Sequence, residues 1–289
     1  MHYLADSIRN YLKNGSQFGV SIQYTFEPEL LGTGGGVKNA EPLLGNEPFV
    51  LVNCDFVSNI DLRPVIEQHL RSRAIATMVL TPNKGGDYTP VYYNQLNQLS
   101  GIGKPSGLPA ISATFTGIHI LSPKALTYLR PVHSGINHDL YPRLIVELPG
   151  SAQCFLDNKG QWFDTGDLTT LYSTSIELLK ELHLPHAQNT RDTLEIFAHY
   201  FEVAPGVWVP QGKTLPGSVS FKGPCIIGGP EKIGSGSRVG PHVILSAEST
   251  VSKNASLSNI VTLGENALQE EPLPGLYYQT QNLIKEKGP

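Results

Sequence analysis

The sequence predicts an α/β domain over residues 1–200, followed from residue 201 by a left-handed parallel β-helix of hexapeptide repeats. Three observations support that reading. Strand-like and helix-like stretches alternate through the first half, which indicates a sheet covered by helices. One of those stretches, Phe49 to Asp55, is almost continuously apolar, as expected for a strand buried on both faces of a parallel sheet. Beyond residue 200 the pattern changes to one apolar residue in every six.

The first element is a helix, because Leu4, Ile8, Tyr11 and Leu12 share one face and Asn14-Gly15 supplies a stop. A strand is expected over Val20 to Phe26, then a glycine loop over Leu31-Gly32-Thr33-Gly34-Gly35-Gly36. The apolar strand that ends at Asp55 comes next, followed by a helix over Asp61 to Arg73 and a strand over Ala76 to Leu80. Residues 83–110 are rich in loop formers and give no clear period. Thr114 to Leu121 reads as a strand, Asp167 to Leu182 as a helix, and His183 to Thr190 as a polar linker. The hexad series then runs unbroken through Val203, Val209, Leu215, Phe221, Ile227, Ile233, Val239, Leu245, Val251, Leu257 and Leu263. Gly228, Gly234, Gly240 and Gly264 each follow a member directly, and Ser246, Ser252 and Ser258 take that place elsewhere. A period of six fits neither an α-helix nor simple alternation. It fits coils of about three hexads around a triangular core, giving about three coils over this span.

Composition narrows the function classes. A formal net charge of −4 with 16% charged residues gives no electrostatic case for nucleic acid or an anionic membrane. Cys54, Cys154 and Cys225 are far apart and form no C-x-x-C pair, so a reducing cytoplasm is expected rather than a disulfide framework. No apolar run approaches the ~18 residues of a membrane span, and MHYLADSIRNYL has neither the basic nor the apolar region of a secretory signal. The glycosylation-like triplets at Asn14 and Asn254 therefore carry no weight.

The glycine stretch could bring backbone N–H groups close to an anion at a helix start, or be a flexible turn. It is neither a dinucleotide fingerprint, since Val37 stands where glycine is needed, nor a P-loop, since no Ser or Thr follows Lys38. Asp55 could be a metal ligand beyond the carboxyl end of a strand or a helix cap. A second aspartate, Asp164 in Trp162-Phe163-Asp164-Thr165-Gly166-Asp167, favours the metal, because magnesium is held by one or two carboxylates with phosphates and water. His183 and His186 lack a third ligand for zinc. Cys54 has no basic partner, and Ser134, His133 and Asp139 form no nucleophile elbow.

The stretches FGVSIQYTFEPELLGTGGGV, FVLVNCDF, TFTGIHILSP and WFDTGDLTTLY, with hexapeptide repeats behind them, resemble the sugar-1-phosphate nucleotidyltransferases, or nucleoside-diphosphate-sugar pyrophosphorylases. Glu27 with LGTGGG resembles the guanylyl- and related uridylyl-transferring branches more than the thymidylyl branch, and the chain is mannose-1-phosphate guanylyltransferase-like. The resemblance spans essentially the whole chain and implies a Rossmann-like nucleotidyltransferase core with a C-terminal β-helix. It implies that Gly32, Thr33, Gly34 and Gly35, with Glu27, contact the nucleotide base. It further implies that Asp55 and Asp164 bind catalytic magnesium, and that Gly117 and Lys104 meet the sugar and its phosphate. Gly103 departs from the family's E-K-P motif, and Thr89-Pro90 departs from a sugar-contacting glycine.

Family members begin with a strand and a G-x-G-T-R loop that wraps the triphosphate. This chain starts at a stretch similar to the family's N-H-Y-L-A-E, so it is expected to lack that loop and to be inactive as it stands. The implied reaction joins an NTP and a sugar 1-phosphate into an NDP-sugar and pyrophosphate. The expected nucleotide is GTP or UTP, the expected location cytoplasmic, and the β-helix is expected to be a packing or oligomerisation element of a homo-oligomer. The alternatives are a non-catalytic regulatory or sugar-nucleotide-sensing subunit and, with His242 as its base, a hexapeptide acyltransferase.

Overall fold

A computed structural model describes residues 1–86, 88–105, 111–182, 199–280 and 283–287. The expected linker at His183 to Thr190 lies outside them. Contacts divide the chain into two compact units, Met1–Trp162 and Phe163–Pro289.

The first unit opens with α1 (Ala5–Leu12), whose expected apolar side buries nothing, with Ile8 and Tyr11 exposed. The strand expected over Val20 to Phe26 does not form. A strand needs a continuous ladder, and here the backbone bonds are scattered: Val20 N donates to Gly15 O, Ile22 N to Asn14 O and Glu27 N to Met1 O. The glycine stretch is not a loop either. Gly32–Asn39 is a helix, α2, despite three successive glycines. Its glycines permit a close approach. A Cβ on Gly34 would lie 2.7 Å from Ser134 Oγ, and one on Gly35 would lie 2.3 Å from the Val132 carbonyl oxygen.

The strands of this unit are β1 (Phe49–Val52), β2 (Phe56–Ser58), β3 (Ala76–Pro82), β4 (Val91–Tyr93), β5 (Leu99–Ile102), β6 (Ile111–Leu121), β7 (Ala152–Leu156) and the start of β8 (Trp162–Asp164). The main sheet runs β5-β4-β6-β3-β7, with β1 also paired to β6. It is mixed rather than all-parallel. β3 and β7 are parallel, while β6 lies antiparallel to β1, β3 and β4.

Burial on both faces, expected of β1, belongs to β3 instead. All of Ala76–Thr81 is buried, whereas Val50 and Val52 on β1 are exposed. The reason is position in the sheet: β3 lies between two strands and two apolar clusters. One cluster joins Val65 of α3 (Leu62–Ser72) to Val79, Ile118 and Ile120. The other joins Met78 and Leu80 to Ile136, Leu140, Tyr141 and Leu144, the last two on α4 (Tyr141–Glu147). Asp61 caps α3 by accepting from Arg63 N at 3.0 Å, so the expected helix is found with its cap.

In the second unit α5 (Leu168–Leu182) is capped by Asp167, whose Oδ1 accepts from Thr169 N at 2.6 Å and Thr170 N at 2.9 Å. It packs Tyr172 and Ile176 on Val261 and Leu276, and Leu179 and Leu182 on Trp208. That packing is why the units divide before α5 rather than near residue 200.

A hairpin of β9 (Tyr200–Ala204) and β10 (Val207–Pro210) leads into the β-helix. One face stacks β10, β12 (Cys225–Ile227), β14 (Val243–Leu245), β17 (Ile260–Leu263) and β19 (Gly275–Thr280), all parallel; β20 (Leu283–Lys287) closes it antiparallel. A second face stacks β11 (Ser220–Phe221), β13 (Arg238–Val239) and β16 (Ser256–Leu257), and a third pairs β15 (Thr250–Val251) with β18 (Ala267–Leu268). Cys225 pairs with Val243 and Ser220 with Arg238, a step of three hexads. The five stacked strands of the first face make about four coils rather than three.

Candidate active site

The C-terminal end of β1 and the exposed face of α2 enclose a cavity of about 490 Å³. Glu27, Gly32, Thr33 and Gly36 line one side, and Val52, Asn53, Cys54 and Asp55 the other. Glu27 is fixed by its Oε2, which accepts from Leu31 N at 3.0 Å. Its Oε1 would lie 2.9 Å from a Cβ on Gly36, so a larger residue there would make the carboxylate shift. Met1 approaches the same oxygen at 3.9 Å and donates from its amino group to Thr25 O at 2.6 Å. Asp55 is exposed at the cavity edge, where β1 has ended and the chain turns toward β2.

The structure therefore brings Glu27, Gly32, Thr33 and Asp55 together. Gly34 and Gly35 are buried and face away, against the 132–134 segment; Gly34 N donates to Ser134 O at 2.9 Å. Gly117 lies one layer behind. It has φ +87° in a bulge of β6, and a Cβ there would come 2.7 Å from the Phe56 ring and 3.2 Å from Asn53 Cβ. Its carbonyl accepts from Asn53 N at 2.9 Å, which fixes the backbone just before Asp55. Lys104 is exposed after β5 and does not line the cavity. Asp164 falls in the second unit, where its Oδ1 accepts from Gly166 N at 2.9 Å and its carbonyl from Thr174 Oγ1 at 2.9 Å.

Sequence reasoning passed over Gly36, Asn53 and the apolar wall of Val37, Ala40 and Leu51. Asn53, two residues before Asp55 at the end of an apolar strand, carried the signal that could have found it. Cys154 and Cys225 are inert, since burial pushes both thiols up to about 12. His242 is held in a β-helix turn with Nδ1 3.0 Å from Asn259 Oδ1. No group of three or more His, Cys, Asp or Glu suited to a metal occurs among the described residues. No described helix is long and apolar enough to cross a membrane.

Residues 1–181 match the family profile described as Nucleotidyl transferase. The chain belongs to that family. It is 26% identical, over 92% of its length and 71% of the relative's, to the UTP–glucose-1-phosphate uridylyltransferase of Synechocystis sp.. It is 27% identical to the mannose-1-phosphate guanyltransferase of Aspergillus oryzae, over 61% of this chain and 51% of that one. It is also 27% identical to the N-acetylmuramate α-1-phosphate uridylyltransferase of Neisseria meningitidis, over 58% and 72% respectively. The chain thus spans about half the length of the fungal relative and about seven tenths of the two bacterial ones. Among solved structures, HddC of Yersinia pseudotuberculosis in complex with GMP-PN aligns with a TM-score of 0.50 at 22% identity, over 60% of this chain and 74% of that one. That likeness supports the fold of the nucleotidyltransferase core.

Proposed function

We propose that this nucleotidyltransferase joins an NTP to a sugar 1-phosphate, releasing pyrophosphate and an NDP-sugar. The observation that carries the reading is the single cavity uniting Glu27, the N-terminal turn of α2 and Asp55. Glu27 uses one oxygen to brace Leu31, which leaves acceptor capacity at the other for the ring N–H of a base. Glu27 with LGTGGG resembles the guanylyl- and related uridylyl-transferring branches more than the thymidylyl branch, so GTP is the first choice and UTP the second. Mannose 1-phosphate, a substrate class of the fungal relatives, is the first sugar to test.

A lone carboxylate at an open cavity edge suits magnesium, which takes its remaining ligands from phosphates and water. Asp55 would hold the ion, and the bound ion would neutralise charge developing at the α-phosphate; Asp164 is a candidate second ligand on the family resemblance alone. Gly117 shapes the floor below Asn53, and Lys104 is the candidate for the sugar phosphate. The sugar phosphate is already an anion, so no general base is needed, and placement in line with the leaving group carries the catalysis. The β-helix serves assembly of a cytoplasmic homo-oligomer.

A second reading, a non-catalytic sugar-nucleotide-binding subunit, draws on a specific feature. The only charged side chains on the described cavity wall are the carboxylates of Glu27 and Asp55, so a triphosphate meets no cation there.

Pyrophosphate release with magnesium, each of GTP, UTP and dTTP, and mannose or glucose 1-phosphate separates these readings. In a version carrying the family's G-x-G-T-R segment, turnover led by GTP, with kcat lowered about 100-fold or more in Asp55→Asn and in Asp164→Asn, is the expected result. A lead for dTTP over both others would overturn the base assignment, and near-wild-type turnover in either variant would remove that aspartate from the site. Saturable binding of GDP-mannose by calorimetry, without turnover, would favour the second reading.

A further inference from the structure

A second cavity of the first unit, about 440 Å³, lies on the other side of the segment that braces α2 and shares no lining residue with the first. Tyr128, Arg130, His133, His138 and Arg143 line it, with Asp139 as its one carboxylate. Asp139 is already engaged, its Oδ2 accepting from Gly135 N at 2.6 Å. Arg143 is pinned: Nε donates to Glu147 Oε1 and Nη1 to Tyr128 O, both at 3.0 Å, and the guanidinium stands 5.0 Å from the Tyr128 ring centroid. Of the five donors of a guanidinium, two are used in this way, and the rest are free in a group already ordered. Arg130 is exposed and has no carboxylate partner among the described residues.

We propose that this cavity binds the phosphate dianion of a small phosphorylated metabolite and that occupancy stiffens the wall behind the glycine helix. Two arginines with planar, fork-shaped donor sets are suited to phosphate oxygens, and the Tyr128 ring offers an apolar face for the rest of the molecule. The wall is short and heavily bonded. Ser134 N donates to Leu31 O at 2.9 Å, Gly34 N to Ser134 O at 2.9 Å, and Ile136 N to Thr33 Oγ1 at 3.1 Å. An anion drawn to Arg130 and His133 therefore acts on residues one to six positions from all three bonds. Those bonds hold the turn of α2 that presents Gly32 and Thr33 to the first cavity. The binding site stands by itself; only its consequence for nucleotide rests on the function proposed above.

Inorganic phosphate, titrated into the full chain by calorimetry against a chloride-balanced blank, tests the site without any nucleotide. Saturable binding is expected, weakened about tenfold or more in Arg130→Gln and unchanged in Lys253→Gln, an exposed cation of the second unit. Backbone amide spectra of the same titration should shift at Gly34, Ser134 and Ile136. Absence of saturable binding at millimolar phosphate, or equal affinity in Arg130→Gln, would sink the site. Binding that leaves those three amides unmoved would sink the coupling. Neither result bears on whether the first cavity takes a nucleotide.

Discussion

Gly35 occupies a helix interior, where alanine is ordinarily preferred by roughly 0.8–1.0 kcal/mol. Here a methyl group would sit 2.3 Å from the Val132 carbonyl oxygen and 2.8 Å from Leu31 Cβ. A backbone oxygen cannot swing aside, so crowding of about 1–3 kcal/mol outweighs the gain in helix propensity. Gly35→Ala is expected to destabilise the first unit by about 1–2 kcal/mol, read as a lower urea midpoint with unchanged slope. A variant as stable as wild type, or more so, would show that the 132–134 segment yields easily. The need for small residues here was legible in the run Gly34-Gly35-Gly36, but its reason was not. Glycines that admit a ligand and glycines that admit a neighbouring backbone look alike along the chain.

At the scale of elements, the hexad series was legible almost residue for residue. Val209, Ile227, Ile233, Val239, Leu245, Val251 and Leu257 are all buried in one core. Leu215 and Phe221 are partly buried against the same core, and two members are exposed. Val203 is exposed in the β9–β10 hairpin, before the parallel coils begin. Leu263 is also exposed, because the coil from Val243 to Ile260 is one residue short of three hexads. Side chains alternate faces along a strand, so the deletion turns Leu263 outward and Thr262 inward. Thr262 is buried, and its hydroxyl accepts from Ser249 Oγ and Ser246 N, both at 2.8 Å. Ile227→Ala should therefore cost about 2–5 kcal/mol, while Leu263→Ala, in the same register, should cost about 1 kcal/mol or less. Comparable losses for the two in chemical denaturation would mean that the register shift is misplaced.

The whole molecule should weaken in mild acid. His119 lies buried between the Phe115 and Tyr141 rings, with Nδ1 2.8 Å from the Tyr141 hydroxyl, and burial lowers its pKa to about 3. Burial also lowers the pKa of His69, which bonds Thr77 and Ser122. An unfolded chain takes up these protons near pH 6.5 while the folded chain refuses them, so stability is complete above that pH and falls as pH drops toward 3. For His119 alone the loss between pH 7 and 5 is about 2 kcal/mol. His119→Asn should flatten the difference in denaturation free energy between pH 7 and pH 5, whatever it does at pH 7. An unchanged difference would assign the acid sensitivity elsewhere.

The sequence by itself determined the local and periodic features: the hexad that dictates a β-helix, the helices capped by Asp61 and Asp167, and the quoted stretches that identify a nucleotidyltransferase core. These depend on neighbours along the chain or on a fixed repeat, so a linear reading reaches them. Only the tertiary structure decided which strand is buried on both faces, that Gly32–Asn39 is helical, and that Val20 to Phe26 has no ladder. It likewise decided that Glu27 and Asp55 share one cavity and that Arg130 and Arg143 share another. Each of these outcomes turns on what a distant segment places alongside: a partner strand, the carbonyl of Val132, or the far wall of a cavity. Propensity and spacing describe a residue's own preferences, and burial and proximity are supplied by the rest of the fold.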